Sequence, residues 1–485
     1  MYVTIILSIV ILILIAVGHK IKKQPPGPFP WPFIGNVLLL TSLSRKLGAQ
    51  HLAFLELSKR YNSNLINYYI GSKRILVVSG NKYIQTVLNT PEFNGRPWDL
   101  FIQVRNFGKK TGVTMNDGDD WKELRSWTER SMRYIGFGRT EMFEIIKNEL
   151  TTILTKLQQG GAQRLKPLIN PVGINVIWTL ATGKPFAEGQ KLQYFTDLME
   201  RRSRAFEMSG SVLSAFPWLR YVAPEISGYN VIRMLNNELK DFVTETIAEH
   251  KKRCTENKED LIDMFLNKIE NDSEPTSLFT EEQLTMILVD LFLAGCTTIS
   301  TSLDFVFINM VLHQDIQRKV QQEIDSMIPK DRLPDLSDRP KLPYTEAVIK
   351  ETQRMWPIFP IIGPRRVLAD TKLGDYYIEK DSTVIINIYS ANMDPDSFPD
   401  PHSFIPERFI ENGVRKSDAD FVTFGKGKRR CPGQAIATAA MFLLFTGILQ
   451  RYSILPVPGK EPTSIEISSG LAITPKPYEI LAVPR

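Results

Sequence analysis

Apolar positions along the chain recur mostly at helical spacing, and strand-like alternation is confined to short stretches. Phe54 to Tyr61 reads as a helix. Leu65 to Tyr69 and Arg74 to Ser79 are rich in β-branched and aromatic residues around Gly71-Ser72, which predicts two short strands with a turn between them. Strand signals return near Ile378, at Val384 to Ile388 and in the last twenty residues, and the remainder is mainly helical. The pattern predicts a mainly α body with small peripheral β-sheets.

The longest helical stretch runs from Thr280 to about His313. Thr280 with Gln283 reads as a capping box at its start. The next proline is Pro329, so the helix spans on the order of 45–50 Å at 1.5 Å per residue. Its middle reads Asp290-Leu291-Phe292-Leu293-Ala294-Gly295-Cys296-Thr297-Thr298-Ile299-Ser300. A glycine and a run of hydroxyls inside a buried helix cost stability. Either another helix crosses here and needs small residues, or the helix opens locally so that hydroxyls and water meet a ligand. A second apolar run, Ala435 to Leu449, and a stretch from Tyr344 to Trp356 also read as helices.

Tyr2 to Gly18 carries no charge, and His19, Lys20, Lys22 and Lys23 follow it. The run is long enough to span a thin bilayer such as that of the endoplasmic reticulum, and the basic cluster places the following chain in the cytosol. Pro25-Pro26-Gly27-Pro28-Phe29-Pro30 then forms a stiff connector. The chain thus divides into an anchor at 1–19, a basic and proline-rich hinge at 20–40, and a catalytic body at 41–485.

With 485 residues, 43% of them hydrophobic, that body can bury a large core. Cys254, Cys296 and Cys431 are odd in number and far apart, which argues against a disulfide framework and for a reducing compartment. The five histidines lack paired metal-ligand spacing, so zinc is not expected. A net charge of +6 suits an acidic protein partner or anionic lipid and demands no nucleic acid.

The most specific chemistry lies in Phe424-Gly425-Lys426-Gly427-Lys428-Arg429-Arg430-Cys431-Pro432-Gly433. Its basic residues and the helix that follows favour a thiolate at Cys431, able to act as nucleophile or metal ligand. Gly427 and Gly433 let the backbone turn and pass close to a flat partner, and Phe424 can supply an aromatic wall. A lone cysteine is more often a buried structural one. Here, however, Phe424, Gly427, Arg429, Cys431 and Gly433 together resemble the haem-thiolate signature F-x-x-G-x-R-x-C-x-G of the cytochrome P450 family.

The resemblance implies the cytochrome P450 fold, preceded by one N-terminal transmembrane helix, with haem b as cofactor and Cys431 as axial ligand of its iron. A thiolate ligand favours O–O cleavage. Ala294, Gly295 and Thr298 match the family's oxygen-activating groove A-G-x-[acid]-T-T, but Thr297 occupies the acid position. Glu351, Arg354 and Arg408 match a buried structural Glu-Arg-Arg triad. Trp121 and Arg125 match the W-x-x-x-R pattern of haem propionate partners, the indole N–H and the guanidinium lying on one side of a helix. Arg429, Arg96 and Arg365 are further propionate contacts by resemblance. The implied substrate chamber takes in Ile102, Gly112 to Asn116, Ala294, Thr298, Phe359, Ile361, Gly363 and Leu471, with a lid from Phe206 to Tyr221. Its apolar lining suits a small lipophilic molecule.

Asn94-Gly95-Arg96-Pro97 and Arg133 to Gly138 resemble insect microsomal members, near juvenile-hormone epoxidases and enzymes that turn an aromatic amino acid into its aldoxime. The resemblance therefore implies an NADPH- and O2-dependent monooxygenase performing hydroxylation, epoxidation or N-hydroxylation. Electrons would come from a separate NADPH-cytochrome P450 reductase, an FMN/FAD flavoprotein, with cytochrome b5 as a further partner. The location implied is the endoplasmic reticulum membrane, single-pass, with the catalytic body facing the cytosol. Thr297 keeps open a different class, a reductase-independent haem-thiolate isomerase or dehydratase.

Overall fold

Helices form most of the ordered chain because most apolar stripes repeat at 3.6 residues, and the strands are gathered at the edges. The computed structural model describes residues 24–186, 189–205, 213, 216–252, 260–272, 278–416, 421–470 and 472–485. The anchor expected at 1–19, and the first residues of the hinge, lie outside the described residues.

Two helices, α1 (Val37–Leu47) and α2 (Gln50–Arg60), precede a hairpin of β1 (Leu65–Ile70) and β2 (Lys73–Val78). Next come α3 (Asn81–Asn89), α4 (Leu100–Arg105), α5 (Gly118–Tyr134), α6 (Thr140–Leu157), β3 (Ala162–Gln163) and α7 (Lys166–Thr182). They are followed by α8 (Gln190–Ala205), α9 (Leu219–Val222), α10 (Tyr229–Lys251) and α11 (Leu261–Asn271). The central part holds α12 (Glu281–Gly295), α13 (Thr298–Leu312), α14 (Gln314–Met327) and α15 (Pro343–Met355). After β4 (Ile361–Arg366), the hairpin β5 (Thr371–Leu373) and β6 (Tyr376–Ile378), β7 (Thr383–Asn387) and α16 (Ile388–Asn392) come β8 (Ile410–Glu411) and β9 (Val414–Arg415). The chain ends in α17 (Gln434–Arg451), β10 (Tyr452–Pro456), β11 (Ile467–Ser468), β12 (Thr474–Pro475) and β13 (Ile480–Pro484).

The main sheet has the order β1-β2-β7-β4. Its β1–β2 and β4–β7 pairs are antiparallel and its β2–β7 pair is parallel, with Ile75 opposite Thr383. A second sheet runs β10-β13-β3. The largest core cluster joins α6, α7, α12, α13 and α17, and α17 is buried on nearly every side from Ile436 to Gln450. Glu281–Leu312 and Gln434–Arg451 are apolar enough to cross a bilayer, but 72% of each apolar window is buried inside the protein, which marks them as core helices.

The single helix expected from Thr280 to His313 is in fact two. Helix α12 stops at Gly295 and α13 begins at Thr298, and Thr297 between them sits at φ −120° and ψ −14°. The Thr298 hydroxyl donates to the Ala294 carbonyl at 2.8 Å across the break. At the N-terminus of α12, the Thr280 hydroxyl accepts from the Gln283 N–H at 3.2 Å. The reciprocal half of the expected capping box is missing, because the Gln283 side chain accepts from the Gly112 N–H at 2.8 Å instead.

The small residues coincide both with the helix break and with a close helix crossing. A Cβ on Gly173 of α7 would lie 2.2 Å from the Gly295 carbonyl oxygen, and a Cβ on Gly295 would lie 2.6 Å from Ile177 Cγ1. The helices therefore cross almost backbone to backbone beside the break. Gly173→Ala is expected to destabilise the protein by about 1–3 kcal/mol through overpacking, read by chemical denaturation.

Candidate active site

The loop from Phe424 to Gly433 is built by turns that need little side chain. Gly425 and Gly427 have φ of +69° and +66°, and a Cβ on Gly427 would meet the Leu88 carbonyl oxygen at 2.4 Å. The Cys431 N–H donates to the Phe424 carbonyl at 2.8 Å and closes the loop. Gly433 has an ordinary φ of −81°, so its value is its size: a Cβ there would stand 3.8 Å from Cys431 Sγ. Cys431 and Phe424 are half-buried.

At Cys431 burial and the basic setting act in opposite directions. Burial pushes the thiol above its usual value, and the Gly433 N–H and the charge of Arg125 only oppose this. A buried thiol of this kind ionises readily only against a strong positive centre such as a metal ion. Among the described residues both Cys296 and Cys431 are unpaired. Burial pushes the Cys296 thiol far up, which leaves it inert.

Helix α13 packs on α17, which follows the cysteine loop directly. On the helical break Ala294 is exposed, although Leu291, Phe292, Gly295 and Cys296 around it are buried. Thr297 and Thr298 are half-buried. One face of a core helix thus lies against open space, which is what a chamber wall requires.

Three guanidiniums converge near Asn94 and the 114–116 segment. Arg429 donates to the Asn94 carbonyl at 2.9 and 2.7 Å and to the Asn116 carbonyl at 2.8 Å, and its guanidinium lies 3.5 Å above the centre of the Trp121 ring. Arg365, 3% exposed, donates to Asn94 Oδ1 at 3.0 Å. Arg96 donates to the Thr114 carbonyl at 3.0 Å and the Pro364 carbonyl at 2.7 Å. Among the described residues no carboxylate is hydrogen-bonded to any of these three side chains, and Arg429 Nη1 is buried without a partner. Burial first, and the neighbouring guanidiniums after it, hold all three below the usual arginine range. The nearby acid, Asp117, is engaged by the Arg96 N–H and by Arg366 at 2.7 Å. Such a surplus of buried positive charge fits a ligand bearing two carboxylates, and so fits haem.

The Trp121 indole N–H donates to the Val113 carbonyl at 3.0 Å, so this residue contributes its ring face under Arg429, not the shared donor that was expected. Arg125 is paired with Glu129 and donates to the Arg430 carbonyl at 2.8 Å, bracing the cysteine loop.

The sequence reading missed Asp290. Its Oδ1 accepts from Arg105 at 2.7 Å, and its Oδ2 accepts from the Val113 and Thr114 N–H groups at 2.8 and 2.9 Å. The pair is nearly buried, with side chains 9% and 1% exposed. Asp290 therefore pins to α12 the segment that supplies carbonyls to Arg96 and Arg429. The signal available was an aspartate inside an otherwise apolar helix. Asp290→Asn is expected to cost about 1.5–3 kcal/mol, read as faster hydrogen exchange at the Val113 and Thr114 amides.

Glu351 and Arg354 are fully buried on α15 and form a two-pronged pair at 2.7 and 2.8 Å. Arg408 joins Glu351 at 3.0 Å. Of the chamber residues, Ile102 is buried with Phe101 and Met115, whereas Phe359 and Gly363 are half-buried. Ile361 packs with Leu40 and Phe54 and lines a cavity together with Leu40, Pro360 and Gly470. Leu471 and most of the expected lid lie outside the described residues.

The comparisons agree with this geometry. The cytochrome P450 family model matches residues 25–482. The chain is 36% identical to a probable cytochrome P450 305a1 of Drosophila melanogaster, covering 99% of this chain and 98% of the relative. It is 34% identical to a farnesoate epoxidase of Bombyx mori, covering 96% and 95%. It is 33% identical to cytochrome P450 2H1 of Gallus gallus, covering 96% and 94%. A closed cysteine loop, three clustered guanidiniums and a match along nearly the whole chain place this protein in the cytochrome P450 family of monooxygenases.

Proposed function

We propose that the chain is an NADPH- and O2-dependent monooxygenase of a small, largely apolar substrate, with Cys431 as the axial thiolate of haem iron. Family members hold haem iron, use O2 and draw electrons from a redox partner. The observation that carries the reading is the closed Cys431 loop beside three clustered guanidiniums to which no carboxylate of the described residues is hydrogen-bonded.

When bound, haem supplies the oxygen chemistry, and the protein supplies orientation and proton delivery. Arg429, Arg365 and Arg96 would hold the two carboxylates, and the ring of Trp121 would keep Arg429 in place. The Thr298 hydroxyl spends its proton on Ala294, leaving its lone pairs to receive a hydrogen bond from water in the opened helix. Thr297 can pass a hydrogen bond but cannot store a proton as a carboxylate does. Lys428 and Arg430 are exposed on the cysteine loop, while Arg429 is turned inward. The exposed pair would meet an acidic flavoprotein reductase. Residues 2–18 would anchor the protein in the endoplasmic reticulum membrane. Exposed Phe29, Trp31, Phe33 and Leu38 just after that segment support a lipid-facing entrance to the body.

The Bombyx mori relative is named for farnesoate epoxidation, and for this chain we extend only the class: an unsaturated or aromatic lipophile. The test uses membranes holding the protein and a supplied reductase, incubated with a lipid and amino-acid extract under labelled O2. Products that need NADPH and carry the label support the reading. Conversion without NADPH supports instead an isomerase or dehydratase, the class that Thr297 keeps open. In the monooxygenase, Thr298→Ala is expected to raise NADPH consumed per product about 10-fold, as general acid–base effects of 10²–10⁴ are partly replaced by water. An unchanged ratio would show the groove is wrongly assigned.

A further inference from the structure

The histidines show no paired metal-ligand spacing along the chain, yet the fold sets one of them against two carboxylates. His250 lies in the last turn of α10. Asp260 is the N-cap of α11, and Asp263 stands in its first turn. His250 Nε2 lies 2.9 Å from Asp260 Oδ2 and 3.1 Å from Asp263 Oδ1. The three side chains are 6%, 8% and 16% exposed, so they meet below the surface. Asp260 Oδ1 is already committed, because it accepts from the Asp263 N–H at 3.0 Å and caps the helix. Each carboxylate therefore aims one oxygen at the same imidazole nitrogen.

The end of α7 closes another side. Its C-cap is Gly183, and a Cβ there would stand 3.1 Å from Asp260 Oδ2. Helices α7 and α10 thus both end at this point, and the carbonyl ends of helices carry partial negative charge, which favours a cation. The donor set selects which cation. One imidazole nitrogen and two carboxylate oxygens lie within 4.8 Å of one another. In a tetrahedral zinc site with bonds of about 2.0–2.1 Å, neighbouring ligand atoms are about 3.3–3.4 Å apart. The contacts at 2.9 and 3.1 Å need to widen by only a few tenths of an ångström to admit the ion. Calcium and magnesium prefer larger all-oxygen shells, whereas an imidazole with carboxylates suits zinc, water taking the fourth position.

We propose that His250 Nε2, Asp260 Oδ2 and Asp263 Oδ1 bind a zinc-type divalent ion that staples the end of α10 to the start of α11. On binding, Nε2 takes the metal in place of its proton. A neutral ring moves that proton to Nδ1, and an imidazolium releases it to solvent. Helix α11 packs on α7 and α12, so the ion braces the helical core and takes no part in the chemistry at Cys431.

The test uses the full chain with its haem and no histidine tag, stripped with chelator and then given zinc chloride alone. Zinc retained through gel filtration is counted by elemental mass spectrometry, and amide exchange is followed in α10 and α11. One zinc per chain is expected, with exchange in α11 slowed only when zinc is present. Asp260→Asn keeps an oxygen for the helix cap but removes a carboxylate ligand, and is expected to weaken zinc binding at least about tenfold. His250→Cys keeps a ligand. In zinc-edge X-ray absorption, which haem iron does not disturb, it is expected to show a sulfur neighbour at about 2.3 Å where the wild type shows only nitrogen and oxygen. Haem content and the thiolate spectrum are expected to stay unchanged in both variants. A wild-type chain that retains no zinc would reduce the cluster to a hydrogen-bonded clasp and overturn the proposal. Zinc retention indifferent to Asp260→Asn, or a His250→Cys site without sulfur, would overturn it as well. The wild-type stoichiometry, ligand shell and α11 exchange decide the matter even where a variant loses haem, and none of these readouts depends on turnover.

Discussion

Replacing Cys431 by serine is expected to lower turnover by about 10³-fold or more, equivalent to at least about 4 kcal/mol of lost transition-state stabilisation. The loop should survive the change. Its closure depends on the Cys431 backbone N–H and the Phe424 carbonyl, and its shape depends on Gly425 and Gly427, none of which involves the sulfur. A serine hydroxyl is also smaller than a thiol, so nothing is overpacked. What disappears is a soft, electron-rich ligand, which a hydroxyl with its much higher pKa cannot replace. The measurement is the absorption spectrum of the reduced, carbon-monoxide-bound protein, taken with haem content and turnover. A variant that keeps haem but loses the thiolate spectrum and the turnover fits Cys431 as the ligand. A variant that keeps all three would exclude it. The guanidinium cluster offers an internal control, because Arg429→Leu is expected to weaken haem retention while leaving the thiolate spectrum of any haem that stays.

Local signals were legible where the side chains that carry them act within one element. The strands at Leu65–Ile70 and Lys73–Val78 and the helix at Pro343–Met355 differ from their expected limits by a residue or so. The position of the helix break was also readable, since a glycine and clustered hydroxyls mark it. Features that depend on distant partners were not legible. The Gln283 side chain bonds to Gly112 across 171 residues, so a local capping pattern could not foresee it. The reason for Gly295 lies in Gly173 of another helix. The balance at Cys431 was only half legible, because charge in a sequence is visible and burial is not: Arg125 favours the thiolate and desolvation opposes it. Asp290 was passed over for the same reason. Its partners, Arg105 and the 113–114 amides, lie far away in the chain, and without them a lone acid in an apolar helix has no evident role.

Glu351→Gln is expected to cost about 3–5 kcal/mol, because it leaves two guanidiniums without their carboxylate in a buried setting. The geometry makes the loss larger than that of an ordinary pair. One oxygen of Glu351 receives hydrogen bonds from Arg354 at 2.8 Å, from Arg408 at 3.0 Å and from the Ile405 N–H at 2.9 Å. The two arginines in turn donate to the carbonyls of Asn392 and Pro399 at 2.8 Å and of Asp400 at 3.1 Å. They therefore organise the segment between α16 and Phe409. Phe409 packs edge-on against Phe421 at 6.0 Å, close before the cysteine loop, so disorder in that segment should reach the haem side. Thermal inactivation and haem loss on heating are expected to move together in this variant. Removing all three charges at once, as Glu351→Leu with Arg354→Met and Arg408→Met, separates two explanations. A simple buried ion pair can often be replaced by apolar side chains at little cost. Here the triple variant should not recover wild-type stability, because the Asn392 carbonyl would remain buried without its donor. Full recovery would mean that the charges merely offset one another and that the carbonyl contacts contribute little.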